Sequence, residues 1–231
     1  LAGVLGAFAL SLVLGLRLAG LDSLLISLDS TDAATHDSLR CLPGAHEKAL
    51  QCLQWLAEDF LVGHRTGGLM TVISSRNLDT VADLVALADS LGVYILVQPY
   101  HGKKTADAVD FATVPPSLSK YLIDLRRSSD AMLNSEGYLR VLPDLGRDGY
   151  TPDECNAGRK YFSIDPFGGL HPCVDTPAVG HVLRDEMSVI SSEESYAAVR
   201  ACPGCWYCFR GEADETLSPG GCLDKVELGM R

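Results

Sequence analysis

The chain has 231 residues, enough for one large domain or for one domain and a small module. Its 19 Lys and Arg against 30 Asp and Glu, a formal net charge of −11, would repel phosphate backbones and anionic headgroups, which argues against nucleic acid and membrane surfaces as partners. Hydrophobic residues make up 47% of the sequence and no repeat or low-complexity tract interrupts it, so its composition is that of a packed globular protein.

Residues 1–16, "LAGVLGAFALSLVLGL", carry no charge before Arg17. The stretch falls short of the roughly 20 apolar residues of a membrane span and lacks the basic start of a secretory signal. It is expected to be a buried helix, with a membrane anchor as the alternative. Because the chain begins with Leu, it is expected to be a piece of a longer protein.

From residue 21 the pattern becomes regular. "LDSLLISLDS" predicts a parallel strand buried on both faces. "AHEKALQCLQWLAEDF" predicts a helix with Ala49, Leu53, Leu56 and Phe60 on its apolar side. "GLMTVISSRN" reads as a strand. "DTVADLVALADSLG" reads as a helix capped by Asp79, stopped at Gly92 and facing inward with Val81, Leu84, Val85 and Ala88. "VYILVQPY" is a third strand. This β-α-β-α-β order predicts an α/β fold, a parallel sheet or part of a (β/α) TIM-like barrel. Its working residues should lie just past the strand ends: Ser27, Asp29 and Ser30, then Ser74, Ser75 and Asn77, then Gln98 and Tyr100. The same residue types also cap helices and make turns.

After the polar stretch "GKKTADAVDFATVPPS", Leu118, Tyr121, Leu122 and Leu125 mark another helix, and "LNSEGYLRVLPDL" one more short one. From about residue 148 turns, glycines and cysteines take over, placing a boundary between residues 1–147 and 148–231. "CNAGRKYFSIDPFGGLHPC" sets Cys155 and Cys173 on either side of a turn-forming "DPFGG", so a β-hairpin should make the two thiols neighbours. "CPGCWYC" adds Cys202, Cys205 and Cys208. Clustered thiols in a chain with ample core sequence point to metal or cluster ligation in a reducing cytoplasm rather than to disulfides. Four thiolates suit zinc or a [4Fe-4S] cluster alike. A self-contained ferredoxin run would need a cysteine where Glu212 stands. Cys208 and Cys222 are left as a substitute ligand, a partial second site or core thiols, and Cys41 and Cys52 read as buried, inert thiols. Tyr100, His101, Tyr161, Asp165 and His171 are polar groups that could face a substrate or serve turns and surface, and none stands out as a catalytic acid or base.

"ISLDS", "HDSLR", the spacing Cys155-x12-Gly168-x4-Cys173 and the Cys202-x2-Cys205 pair together resemble radical S-adenosylmethionine enzymes with a C-terminal SPASM or twitch module. The resemblance runs from about residue 18 to the end of the chain. It implies a partial (β/α) barrel that binds S-adenosylmethionine against a 4Fe-4S cluster, whose reductive cleavage yields a 5′-deoxyadenosyl radical. A small Cys-rich module of hairpin and helix would hold one auxiliary 4Fe-4S cluster. The resemblance assigns Cys155, Cys173, Cys202 and Cys205 as ligands of that cluster, with Cys208 the rival for one place. It puts Ser27 and Arg40 at the S-adenosylmethionine, Arg40 at its carboxylate, with Asp29 beside them. It also implies a peptide or small organic substrate and a reductant such as a flavodoxin or ferredoxin.

The family's Cys-x3-Cys-x2-Cys loop and its glycine-rich motif do not occur in these 231 residues. The resemblance therefore describes the C-terminal part of an enzyme, expected to be inactive alone. A structural zinc module without radical chemistry is the competing reading.

Overall fold

The structure, a computed structural model, describes residues 15, 17–100, 116–143, 155–202, 205, 207, 208 and 210. Residues 1–14, His101 and Cys222 lie outside them. The chain divides into two compact units.

In the first unit, β1 (Ser23–Ser27) leads into α1 (Ala33–Arg40) and α2 (Ala45–Trp55), which widens into a π-helical turn over Leu56–Phe60. β2 (Thr66–Ile73), α3 (Val81–Leu91) and β3 (Tyr94–Pro99) follow. The strands form one parallel sheet in the order β1-β2-β3, with Ser23 opposite Thr66 and Gly68 opposite Tyr94. This is the parallel α/β arrangement that the alternation of elements predicts. The apolar stripes read from the spacing are where the core forms: Leu53, Leu56, Phe60, Val81, Leu84 and Ala88 are all buried, against Leu69, Ile73, Ile95 and Val97 of the sheet. The sheet hides these side chains because β2, its central strand, is covered on both faces along most of its length.

Three readings need correction, and one helix was not foreseen. β1 is not buried on both faces: as the edge strand it alternates exposed and half-buried residues, with Leu25 at 37% exposure. Asp79 does not cap α3; it sits inside a 3-10 turn, Leu78–Thr80, that precedes the helix. α1, unforeseen, starts from Asp32, whose carboxylate accepts the Thr35 N–H at 2.7 Å. Cys41, expected to be buried, is exposed and closes α1 in the left-handed region.

Beyond β3 the chain returns through α4 (Pro116–Ser128), with Pro116 as its first residue. Residues 131–134 then run along the outer edge of β3. Ile95 N–H donates to Ala131 O at 2.8 Å and Leu133 N–H to Ile95 O at 2.9 Å. The buried Asn134 side chain continues the ladder, accepting from Val97 N–H at 2.8 Å and donating to Val97 O at 3.0 Å. One amide thus satisfies both backbone groups of a core residue.

A short helix, α5 (Glu136–Val141), leads toward the Cys-rich segment. In the second unit β4 (Ser163–Ile164), β5 (Gly169–His171) and β6 (Gly180–His181) make a small antiparallel sheet, with Ser163 opposite His171, and α6 (Glu193–Arg200) follows. The predicted hairpin is therefore present, with a third strand added. Two glycines make it possible. Gly168 has φ +89° and a Cβ there would meet the His181 ring at 2.8 Å; Gly158 has φ +77° and a Cβ would meet Ile190 O and Ser195 Oγ at 2.9 Å. Among the described residues no helix is long and apolar enough to cross a membrane.

Asn134→Ala should destabilise the first unit by about 2 to 4 kcal/mol, because two buried backbone groups lose their partner. Urea unfolding with the same m-value and a lower midpoint is the expected readout; an unshifted midpoint would show that water replaces the amide.

Candidate functional site

The first constellation lies at the C-terminal ends of β1 and β2. Asp29 is buried, and its Oδ1 accepts the Val72 N–H at 3.0 Å while its Oδ2 stands 2.6 Å from Arg40 Nε. Asn77 Nδ2 donates to Asp29 O at 2.6 Å and Val72 O at 2.9 Å, and its Oδ1 accepts from Ser74 N and Oγ at 2.7 and 3.0 Å. Ser30 Oγ accepts the Asp32 N–H at 3.0 Å and lies 3.2 Å from Thr80 Oγ1. Of the polar residues expected at this rim, Asp29, Ser74 and Asn77 are therefore used to fasten loop to strand, and Ser30 to fix the loop itself. Ser27 is exposed at the end of β1, and Arg40, about a third exposed, is the cation that Asp29 orients.

His36 and Asp37 of "HDSLR" were missed by sequence reasoning. The buried His36 accepts the Asp29 N–H at Nδ1, 3.0 Å away. That nitrogen therefore carries no proton, so its 3.9 Å approach to Asp29 Oδ2 is not an ion pair. Burial holds the His36 pKa below the ordinary histidine value, against the opposite pull of Asp29. Asp37 accepts the N–H groups of Gly44 and His46 at 2.5 and 2.8 Å, capping α2, whose N-cap Gly44 offers no side chain. The signal that could have found both was the acceptor-rich pair standing one helix turn before Arg40.

The second constellation is the thiol group of the Cys-rich unit. Cys173 packs with Ala157 and Val199, and Cys155 and Tyr161 lie against the same cluster, so the hairpin does bring the two distant cysteines together. Cys202 and Cys205 join them: Cys205 interacts electrostatically with Cys173, Cys155 and Cys202. Cys208 is buried in the same stretch, at 3% exposure. Burial pushes the Cys205 thiol up to about 12 and raises that of Cys173, and the neighbouring thiols add to both effects. Backbone N–H groups oppose this, Tyr207 donating to Cys205 and Asp175 to Cys173, while Tyr161 Oη lies 3.3 Å from Cys155 Sγ. Such donors around sulfur are what a thiolate metal site requires, and the residues fit a four-cysteine cluster in kind. The thiols are neighbours rather than a formed shell: among the described residues no three His, Cys, Asp or Glu side chains are close enough together to grip an ion. None of the seven described cysteines is in a disulfide.

Asp165 and His171 serve the turn. Asp165 Oδ1 accepts from Phe167 N–H and Gly169 N–H, and its Oδ2 lies 3.1 Å from His171 Nε2, whose Nδ1 donates to Thr176 O at 2.7 Å. Thr176 Oγ1 in turn accepts the Cys173 N–H at 3.0 Å and donates to Cys173 O at 2.8 Å. In the first unit, a cleft of about 370 Å³ lined by Arg65, Asp89, Tyr94 and Asp130 lies at the opposite, N-terminal ends of β2 and β3. Parallel sheets bind ligands at their carboxyl ends, so this cleft is not the candidate.

The buried, neutral His36 predicts a pH dependence. Its folded pKa lies below its unfolded one, so the unfolded chain takes up the extra proton and stability falls on acidification below about pH 6.5. His36→Asn keeps an acceptor for the Asp29 N–H and removes this part of the slope. Identical acid-unfolding curves for the two proteins would contradict it.

No protein-family model matches the chain. It is 26% identical over 192 residues to the AdoMet-dependent heme synthase of Methanosarcina barkeri, covering 74% of this chain and 53% of that protein. The AdoMet-dependent heme synthase of Nitratidesulfovibrio vulgaris is 23% identical over 181 residues, 68% of this chain and 47% of that protein. Mycofactocin maturase MftC of Mycobacterium tuberculosis is 28% identical over 182 residues, 73% of this chain and 44% of that protein. The chain thus spans about half the length of the curated relatives it matches. The crystal structure of Streptococcus suis SuiB matches with a TM-score of 0.54 at 15% identity, over 78% of this chain and 45% of that one, a likeness of fold. The chain is thus a relative of AdoMet-dependent heme synthases and of mycofactocin maturases, and the resemblance to radical S-adenosylmethionine enzymes of the SPASM type, carried by its motifs, holds.

Proposed function

We propose that this chain is the C-terminal part of a radical S-adenosylmethionine enzyme that acts on a peptide or a small organic substrate, residues 1–147 forming part of its barrel and residues 148–231 an auxiliary-cluster module. The observation that carries this reading is that Cys155, Cys173, Cys202 and Cys205, distant in sequence, become neighbours, Cys173 and Cys205 buried and Cys155 and Cys202 half-buried, with hydrogen-bonding groups beside three of the sulfurs. Bound there, a 4Fe-4S cluster would supply a one-electron centre, as S-adenosylmethionine bound at the barrel would supply the radical.

The chain's own residues have separable tasks. Cys155, Cys173, Cys202 and Cys205 hold the auxiliary cluster, and the buried Cys208 is the competing ligand for one place, in this proposal that of its sequence neighbour Cys202, which like Cys155 is half-buried. Thr176 clamps the backbone of Cys173 on both sides, so its thiol is presented without the freedom of an open loop. Arg210, buried against Cys205 O at 3.4 Å, brings a cation to a site that would carry net negative charge. At the barrel, Arg40 binds the S-adenosylmethionine carboxylate, Asp29 orients the guanidinium through Nε, and Ser27 contacts the ribose or methionine part. A flavodoxin or ferredoxin serves as the electron donor, in a compartment reducing enough to keep the thiols reduced.

Anaerobic reconstitution of the chain with iron and sulfide, followed by visible absorbance and metal analysis, tests this. The wild type is expected to take up iron and acid-labile sulfide. Cys173→Ala and Cys202→Ala should lose most of it, whereas Cys52→Ala and Cys208→Ala should keep it. Stoichiometric zinc without iron uptake would sink the radical-enzyme reading in favour of a structural zinc module, and iron retained by C202A but lost by C208A would exchange the two ligands.

A further inference from the structure

Tyr161 is six residues from Cys155 in sequence, and its Oη lies 3.3 Å from Cys155 Sγ, within hydrogen-bond reach of sulfur. Its ring packs against the cluster of Ala157, Cys173 and Val199, and its carbonyl accepts the Gly158 N–H at 2.8 Å, so both ends of the residue are held. Packing alone would be served by Phe; the hydroxyl is what reaches the thiol.

We propose that Tyr161 donates a hydrogen bond to the metal-bound Cys155 thiolate and thereby raises the reduction potential of the auxiliary cluster; the inference rests on the cluster reading above. A coordinated thiolate has no proton to give, so the phenol must be the donor. The bond withdraws negative charge from sulfur. Adding one electron to the cluster makes it more negative, so the reduced state gains more from the bond than the oxidised state does.

The test is Tyr161→Phe in the full chain, reconstituted anaerobically beside the wild type. Iron and sulfide per chain and the midpoint potential are both measured, the latter by dithionite titration followed by EPR. The expected result is equal cluster content and a midpoint shifted to more negative potential in Y161F. Equal content with an unchanged midpoint overturns the inference. A Y161F chain that fails to load while the wild type loads overturns it too, since Tyr161 would then be needed for assembly rather than for tuning. If the wild type binds zinc and no iron, the cluster reading fails by itself. The hydrogen bond is then read in the Co(II)-substituted chains, where losing it should move the thiolate-to-cobalt charge-transfer band of Y161F to longer wavelength and an unmoved band would refute the donor role.

Discussion

Thiolates repel one another, and removal from water raises the free energy of each, so the gathering of four cysteines, Cys173 and Cys205 of them buried, is the constraint on which the second unit depends. The folded chain meets it by burying Cys173 and Cys205, where desolvation disfavours ionisation, most strongly at Cys205. It also supplies the means of reversing that preference. Backbone N–H groups at Cys173 and Cys205 and a phenol at Cys155 already point at sulfur, so a cationic centre would find ligands whose negative charge is partly met by donors. The turn chemistry follows from the same constraint. Asp165 gathers two N–H groups across "DPFGG", His171 ties that carboxylate to Thr176, and Thr176 grips Cys173, a chain of contacts that fixes the backbone from which the thiol projects.

The first unit obeys a different rule, that buried polar groups must find partners. Asp29, Asn77 and Ser74 do so by tying the ends of β1 and β2 together, and His36, kept neutral, accepts the Asp29 N–H. The part of the rim left to face a ligand is therefore narrower than its polar composition suggests. Ser27 at the exposed strand end and Arg40, held by Asp29, are the members to which the proposed function gives the ligand, with Asp29 acting through Arg40 in that proposal.

The strands, the helices α2 to α4 and the Cys-rich hairpin were legible because each is written in short-range signals. Apolar spacing places Leu53, Leu84 and Ile95 inside, and "DPFGG" turns the chain whatever lies around it. The convergence of Cys155 and Cys173 was legible for the same reason, since a hairpin of known turn type dictates its own pairing. Helix α1 was not, because its apolar content is low and its start depends on one Asp32 cap. Tyr161 was visible as a polar residue without a task; its reach to Cys155 requires the left-handed turn at Gly158 that folds six residues back on themselves.

What the linear chain settles is what acts over a few residues: element type, the inward stripes, the hairpin, and a set of thiols with cluster-like spacing. What the tertiary fold decides are partnerships across long separations. Asp29 meets Val72 over 43 residues and Asn134 meets Val97 over 37, and neither residue type announces which backbone it will serve. The reason is physical: a side-chain amide or carboxylate satisfies whichever donors packing leaves over, and that remainder exists only once the strands are side by side.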